Sequence, residues 1–150
     1  MRWFPQSVYL LLLQAVVPPL AWACPADIQS LTSQLLPELS SYMNRTYTRM
    51  GFAQRQVITA SSPEFEPLPV TAELPNQVHP QQVFVSLLEK RLGTQPTSQT
   101  AYWLFFSPTR RGWRLSMAFA RVGKAPPYDV SDGAIANAVN TWLRDRCDSP

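Results

Sequence analysis

Ala101-Tyr102-Trp103-Leu104-Phe105-Phe106-Ser107 is followed, after Pro108-Thr109-Arg110-Arg111, by Gly112-Trp113-Arg114-Leu115-Ser116-Met117-Ala118-Phe119-Ala120-Arg121. Both runs are rich in aromatic and apolar residues and are separated by turn formers, so together they read as a β-hairpin. Pro108 suits the opening of a type I turn, and Gly112 relieves its closing residue. With Ser107 opposite Gly112, Phe106 faces Trp113, Leu104 faces Leu115 and Tyr102 faces Met117. Side chains alternate between the faces of a sheet, so this register collects Tyr102, Leu104, Phe106, Trp113, Leu115, Met117 and Phe119 on one side, the expected core side. The other side receives Trp103 and Phe105 beside Arg114 and Ser116, with Arg110 and Arg111 at the turn.

Working outward, the chain before the hairpin supplies further strands. Gln56-Val57-Ile58-Thr59-Ala60 reads as a strand bounded by Ser61-Ser62-Pro63. Glu64-Phe65-Glu66-Pro67-Leu68-Pro69-Val70 alternates but carries two prolines, which places it at a sheet edge, because proline cannot donate to a ladder. Residues 71–80 read as a loop. The apolar residues of 82–92 fit both the helical and the strand period, and the β-branched and aromatic content of Gln82–Leu88 favours a strand.

Helical spacing appears at both ends. Ile28, Leu31, Leu35, Leu39, Tyr42 and Met43 recur three or four apart, with Pro25 suited to a first turn and Asp27 to the positive end of the helix dipole. Pro37 either kinks this helix or starts a second one. Ile135, Val139, Trp142 and Leu143 share one face of a closing helix over 131–147, which Ser131 or Asp132 can cap and whose end suits Arg144 and Arg146. The expected architecture is α+β: an antiparallel sheet of four to five strands with the N-terminal and C-terminal helices packed on one face.

The chain has 150 residues, room for one domain. It opens with Arg2, the apolar run Val8–Val17, and Ala21-Trp22-Ala23, the pattern of a secretory signal cleaved after Ala23. The run is too short to span a bilayer, which takes roughly 20 apolar residues. The expected organisation is therefore a signal peptide over 1–23 and a single domain over 24–150, with no transmembrane segment after cleavage. Cys24 and Cys147, the two cysteines present, read as one disulfide across the domain ends in an oxidising space: periplasm, thylakoid lumen or extracellular medium. A rival use of Cys24 is lipid acylation, although bulky Trp22 stands close to the cleavage point and Cys147 is then left over.

Composition excludes several function classes. Apolar residues make up 45%, aromatic 11% and charged 15%, enough for a core and unlike a disordered chain. Thirteen Lys and Arg stand against ten Asp and Glu; removing Arg2 with the leader leaves 12 − 10 = +2, which implies no nucleic-acid partner. His79 is the single histidine and sits in a proline-rich loop with no nucleophile announced beside it, and a structural zinc site takes about four Cys or His ligands. No phosphate loop or nucleophile elbow is present, so no catalytic residue, metal or cofactor is expected. Glu64 and Glu66 show on one face of an edge strand, where paired carboxylates serve either glycoside chemistry or a solvated edge. Asn44-Arg45-Thr46 matches a glycosylation sequon.

Several stretches together carry a resemblance: Cys24-Pro25-Ala26-Asp27-Ile28 with Leu35-Leu36-Pro37, Pro63-Glu64-Phe65-Glu66-Pro67-Leu68, Trp103-Leu104-Phe105-Phe106, Arg111-Gly112-Trp113-Arg114-Leu115, and Asp132-Gly133-Ala134-Ile135-Ala136 with Trp142-Leu143-Arg144-Asp145. The chain resembles a group of small secreted cyanobacterial proteins of unknown function. The resemblance implies an envelope, periplasmic or lumenal setting and brings no catalytic residues.

The functional expectation is a non-enzymatic binding or accessory protein of the cell envelope. Its candidate surface is Trp103, Phe105, Arg110, Arg111 and Arg114, because rings beside guanidinium groups bind glycans, envelope proteins or anionic surfaces through stacking and cation–π contacts. The same rings alternatively form a second small core under another segment. Two further alternatives are a small hydrolase using Glu64 and Glu66, and an envelope protein anchored by lipid on Cys24.

Overall fold

The computed structural model describes residues 24–65, 80–93 and 97–147. Residues 1–23, where a leader is expected, and Glu66 and His79 lie outside these residues. Helix α1 (Ile28–Arg49) is followed by strands β1 (Arg55–Ala60), β2 (Gln81–Arg91), β3 (Ser98–Thr109), β4 (Gly112–Val122) and β5 (Tyr128–Asp129), then by helix α2 (Ala134–Cys147). The five strands form one antiparallel sheet in the order β1-β2-β3-β4-β5, and both helices join a single core with its inner face.

β2 shows why the ambiguous apolar run becomes a strand. Val83, Val85, Leu87 and Glu89 are buried while the residues between them are not, a period of two along the whole element. Beside it, β1 ends at Ala60, but the Ser61 N–H still donates to the Ser86 carbonyl, and Glu64 and Phe84 exchange two backbone hydrogen bonds. Thus the segment through Glu64 follows the open edge of the sheet.

α1 runs unbroken through Pro37, whose ring is on the exposed side. Pro25 lies ahead of the helix, not in its first turn, and its carbonyl accepts from Trp113 Nε1 at 2.7 Å. Asp27 is the N-cap and accepts from the Ser30 N–H at 2.7 Å. That bond holds the Asp27 carboxyl below its ordinary pKa. Asn44 of the sequon is committed to the fold: its amide accepts from the Val57 N–H at 2.7 Å and donates to the Val57 carbonyl at 3.1 Å, docking α1 on β1 beside a bulge at Ile58.

The hairpin departs from the expected register. Thr109, not Ser107, faces Gly112, so the loop is the two residues Arg110 and Arg111. A slip of two keeps every side chain on its face, and Phe106 and Leu115 remain inside. A bulge then follows: Phe106 pairs with Leu115 and Phe105 with Met117, leaving Ser116 as the extra residue. Beyond it the faces of β4 exchange. Ala118 and Ala120 turn inward and are buried, whereas Met117, expected in the core, is 41% exposed, and Phe119 goes to the outer face. Small residues inside let α2, itself buried through Ala136, Ala138 and Val139, lie close on β4.

Ser131 also differs from expectation. Its hydroxyl does not cap α2; it accepts from the Ala118 N–H at 3.0 Å, fixing the entry to the helix against the bulged strand. Asp129 in turn accepts from the Ser131 N–H at 2.8 Å, and its hydrogen bonds to Ser131 lower the carboxyl pKa. At the far end Arg146 and Trp142 both donate to Glu38 of α1.

The two ends of the domain meet. Cys24 and Cys147 form a disulfide with their Cα atoms 4.5 Å apart across a sequence separation of 123. No helix among the described residues is long and apolar enough to cross a membrane.

Candidate functional site

The outer face of the sheet is built by the residues that alternate with the core. Phe84 of β2, Trp103 and Phe105 of β3 and Phe119 of β4 form an aromatic strip across three strands. Phe84 and Trp103 ring centroids are 5.0 Å apart, and Phe105 meets Phe119 edge-on at 6.0 Å, both favourable arrangements of ring quadrupoles. Trp103 is only 9% exposed and Phe105 8%, so these rings are a packed floor and present little surface.

The bulge redistributes the charges around that floor. Trp103 pairs with Phe119 and Phe105 with Met117, whereas Arg114 pairs with Ser107. Arg114 is therefore four strand positions from Trp103, about 13 Å along the sheet, and is not its neighbour as the simple register predicts. The guanidinium that does meet the indole is Arg121, with Cζ 5.3 Å from the ring centroid. Sequence reasoning missed Arg121 because Ser116 displaces the second half of β4 by one residue. An alternation that breaks at Ser116, with alanines at 118 and 120, was the signal that could have found it.

Arg110, Arg111 and Arg114 form the exposed basic tip of the hairpin, and Met117 extends it toward the aromatic floor. None of these three arginines belongs to an ion pair among the described residues. The tip is held firmly from below. Gly112 has φ +118°, and a Cβ there would lie 2.6 Å from Cys24 Sγ, so the turn closes directly against the disulfide. Trp113 adds its hydrogen bond to Pro25. No family model, curated protein or solved structure matches this chain.

A second polar constellation, unread in the sequence, lies inside the fold. Glu89 is 2% exposed and accepts from Tyr47 Oη at 2.7 Å, Tyr102 Oη at 3.3 Å and Arg55 Nη2 at 2.7 Å. Burial, and then the negative charge of Glu89, hold both tyrosine hydroxyls well above the ordinary tyrosine pKa. The carboxylate is fully partnered, and no buried side-chain polar atom among the described residues lacks a hydrogen bond. Such a cluster locks α1 to the sheet.

The paired-carboxylate expectation is placed only in part. Glu64 is exposed on the sheet edge beside Phe84. Its expected companion, Glu66, is outside the described residues. Cys24 Sγ is bonded to Cys147, the use that competes with acylation. Among the described residues no three His, Cys, Asp or Glu side chains gather as metal ligands.

Proposed function

We propose that this protein is an exported, non-enzymatic binding or accessory protein of the cell envelope, docking on an anionic partner through the basic hairpin tip. The observation that carries the reading is the exposed cluster Arg110, Arg111 and Arg114, free of ion pairs among the described residues, on a turn fastened to the disulfide through Gly112. A rigid tip loses little conformational freedom on association, so its charge–charge gains are not spent on ordering a loop. Guanidinium forks suit carboxylate, sulfate and phosphate groups of glycans or envelope proteins. In this reading Trp103 and Phe105 stiffen the platform and the arginines make the contact.

The setting rests on the sequence and on the disulfide. A leader over 1–23 of secretory type and a cystine joining the domain ends both suit a periplasmic, lumenal or extracellular space. The resemblance to small secreted cyanobacterial proteins supports the same envelope setting.

The test compares two variants that each remove two positive charges. Arg110→Gln/Arg111→Gln is expected to abolish salt-sensitive retention on an anionic polysaccharide matrix and cross-linking to isolated envelopes. Lys90→Gln/Lys124→Gln, altering exposed lysines elsewhere, is expected to preserve both. Trp103→Ala should lower the unfolding midpoint instead. Equal loss of retention in the two double variants would reduce the tip to general charge and end the proposal.

A further inference from the structure

A groove of about 480 Å³ lies on the helical layer, between the second half of α1 and the last turns of α2. Tyr42, Arg45, Thr48 and Arg49 form one wall; Thr141, Arg144 and Asp145 form the other. Three guanidinium groups face one carboxylate, so the groove carries a net charge of 3 − 1 = +2. Arg45 and Arg49 are four apart on one helix, a like-charge spacing that costs stability, and neither has an acid three or four residues away on α1 to offset it. They are held by neutral groups. The Arg45 Cζ sits 4.2 Å over the Tyr42 ring, and Arg49 Nη2 donates to Thr46 Oγ1 at 3.2 Å.

The acid is already occupied. Asp145 Oδ2 accepts from Tyr42 Oη at 3.1 Å, and burial, followed by that bond, raises the pKa of the hydroxyl. Its Oδ1 lies 3.4 Å from Arg144, an exposed and weak pair. Each guanidinium offers five N–H donors, far more than these contacts use. The threonines contribute the opposite polarity: Thr48 donates to the Asn44 carbonyl at 3.0 Å and Thr141 to the Asn137 carbonyl at 2.7 Å. Their oxygens are left as acceptors for a hydroxyl group.

We propose that this groove is a binding site for a hydroxyl-bearing phosphate ester, the arginines taking the phosphate and the two threonine oxygens accepting from hydroxyls of the ester. The site goes beyond the hairpin reading and stands apart from it, on the helices rather than at the turn. The same chemistry occurs on a soluble sugar or glycerol phosphate and on a phosphoglycerol lipid headgroup.

The experiment uses the disulfide-bonded chain without its leader and follows amide chemical shifts during titration with glycerol 1-phosphate and with inorganic phosphate. Saturable shifts at residues 42–49 and 141–145 are expected, with the ester binding more tightly than inorganic phosphate. Arg45→Gln and Arg144→Gln should each weaken the ester about tenfold, the scale of one charge-assisted hydrogen bond, while Lys124→Gln should not. Thermal unfolding of the variants checks that the helices remain intact. Co-sedimentation with phosphatidylglycerol vesicles, but not phosphatidylcholine vesicles, lost in the same two arginine variants, identifies the lipid headgroup as the source; ester binding without co-sedimentation identifies a soluble one. Absence of saturable shifts in the groove, equal weakening by Lys124→Gln, or no preference for the ester over phosphate overturns the proposal.

Discussion

Gly112 and Glu89 show how single residues decide local structure here. Gly112 combines a positive φ with a neighbour at 2.6 Å from any Cβ, so Gly112→Ala meets backbone strain and a clash with Cys24 Sγ together. The strain alone is worth about 1 to 3 kcal/mol, and a drop of at least that size in unfolding free energy is expected from denaturant titration. Glu89 is the converse, a charge made tolerable by three donors. Glu89→Gln removes the attraction to Arg55, whose side chain is 41% exposed and therefore partly screened, so about 1 to 2 kcal/mol is expected. The tyrosines that bond Glu89 set a pH dependence whose sign is fixed. Their pKa values are raised in the folded state, so the unfolded chain sheds protons first above the ordinary tyrosine value of about 10. Stability is fully present below that pH and falls as pH rises above it. Ultraviolet titration should show Tyr47 and Tyr102 ionising only as the protein unfolds, and an early, reversible ionisation of all the tyrosines would contradict the burial of the cluster.

At the scale of elements, periodicity made both helices, the strand at 82–88 and the hairpin legible, because burial on one face imposes a period that polar residues reveal. It was silent wherever a strand changes period midway. The bulge at Ser116 conserves composition and alters only which face each residue takes, so Met117 and Phe119 looked internal and Ala118 and Ala120 looked incidental. Their true roles can be separated by substitution. Ala118→Leu forces three extra heavy atoms beneath α2 and is expected to cost about 1 to 3 kcal/mol, whereas Met117→Thr on the exposed face should stay within about 0.5 kcal/mol. Similar costs for both changes would mean that β4 is not bulged. The Glu89 cluster was hidden for a different reason: Glu89 continues the buried alternation Val83, Val85, Leu87, and a carboxylate there has meaning only once Tyr47, Tyr102 and Arg55 arrive from three other segments.

At the scale of the molecule, the cystine joins the entry of α1 to the last residue of α2 and thereby closes nearly all the described chain. That closure was readable from two cysteines near opposite ends, but its contact with the hairpin was not, since Gly112 is remote from both in sequence. In the chain-entropy view a loop of this length contributes about 5 kcal/mol, a large share of the roughly 5 to 15 kcal/mol that holds a domain together. Reduction, or Cys24→Ser/Cys147→Ser, should therefore lower the denaturant midpoint sharply. Because Gly112 packs on Cys24, the two perturbations also share a neighbourhood, and their effects should not add. With the bridge absent the Cys24 side chain can withdraw from a new methyl group, leaving only the backbone part of the Gly112→Ala cost. A double-mutant cycle is expected to give a coupling of at least about 0.5 kcal/mol, the alanine being better tolerated in the serine background. Strict additivity would show that the disulfide closes the chain without bracing the basic turn, and the rigidity invoked for the proposed docking surface would have to come from Trp113 and its bond to Pro25 alone.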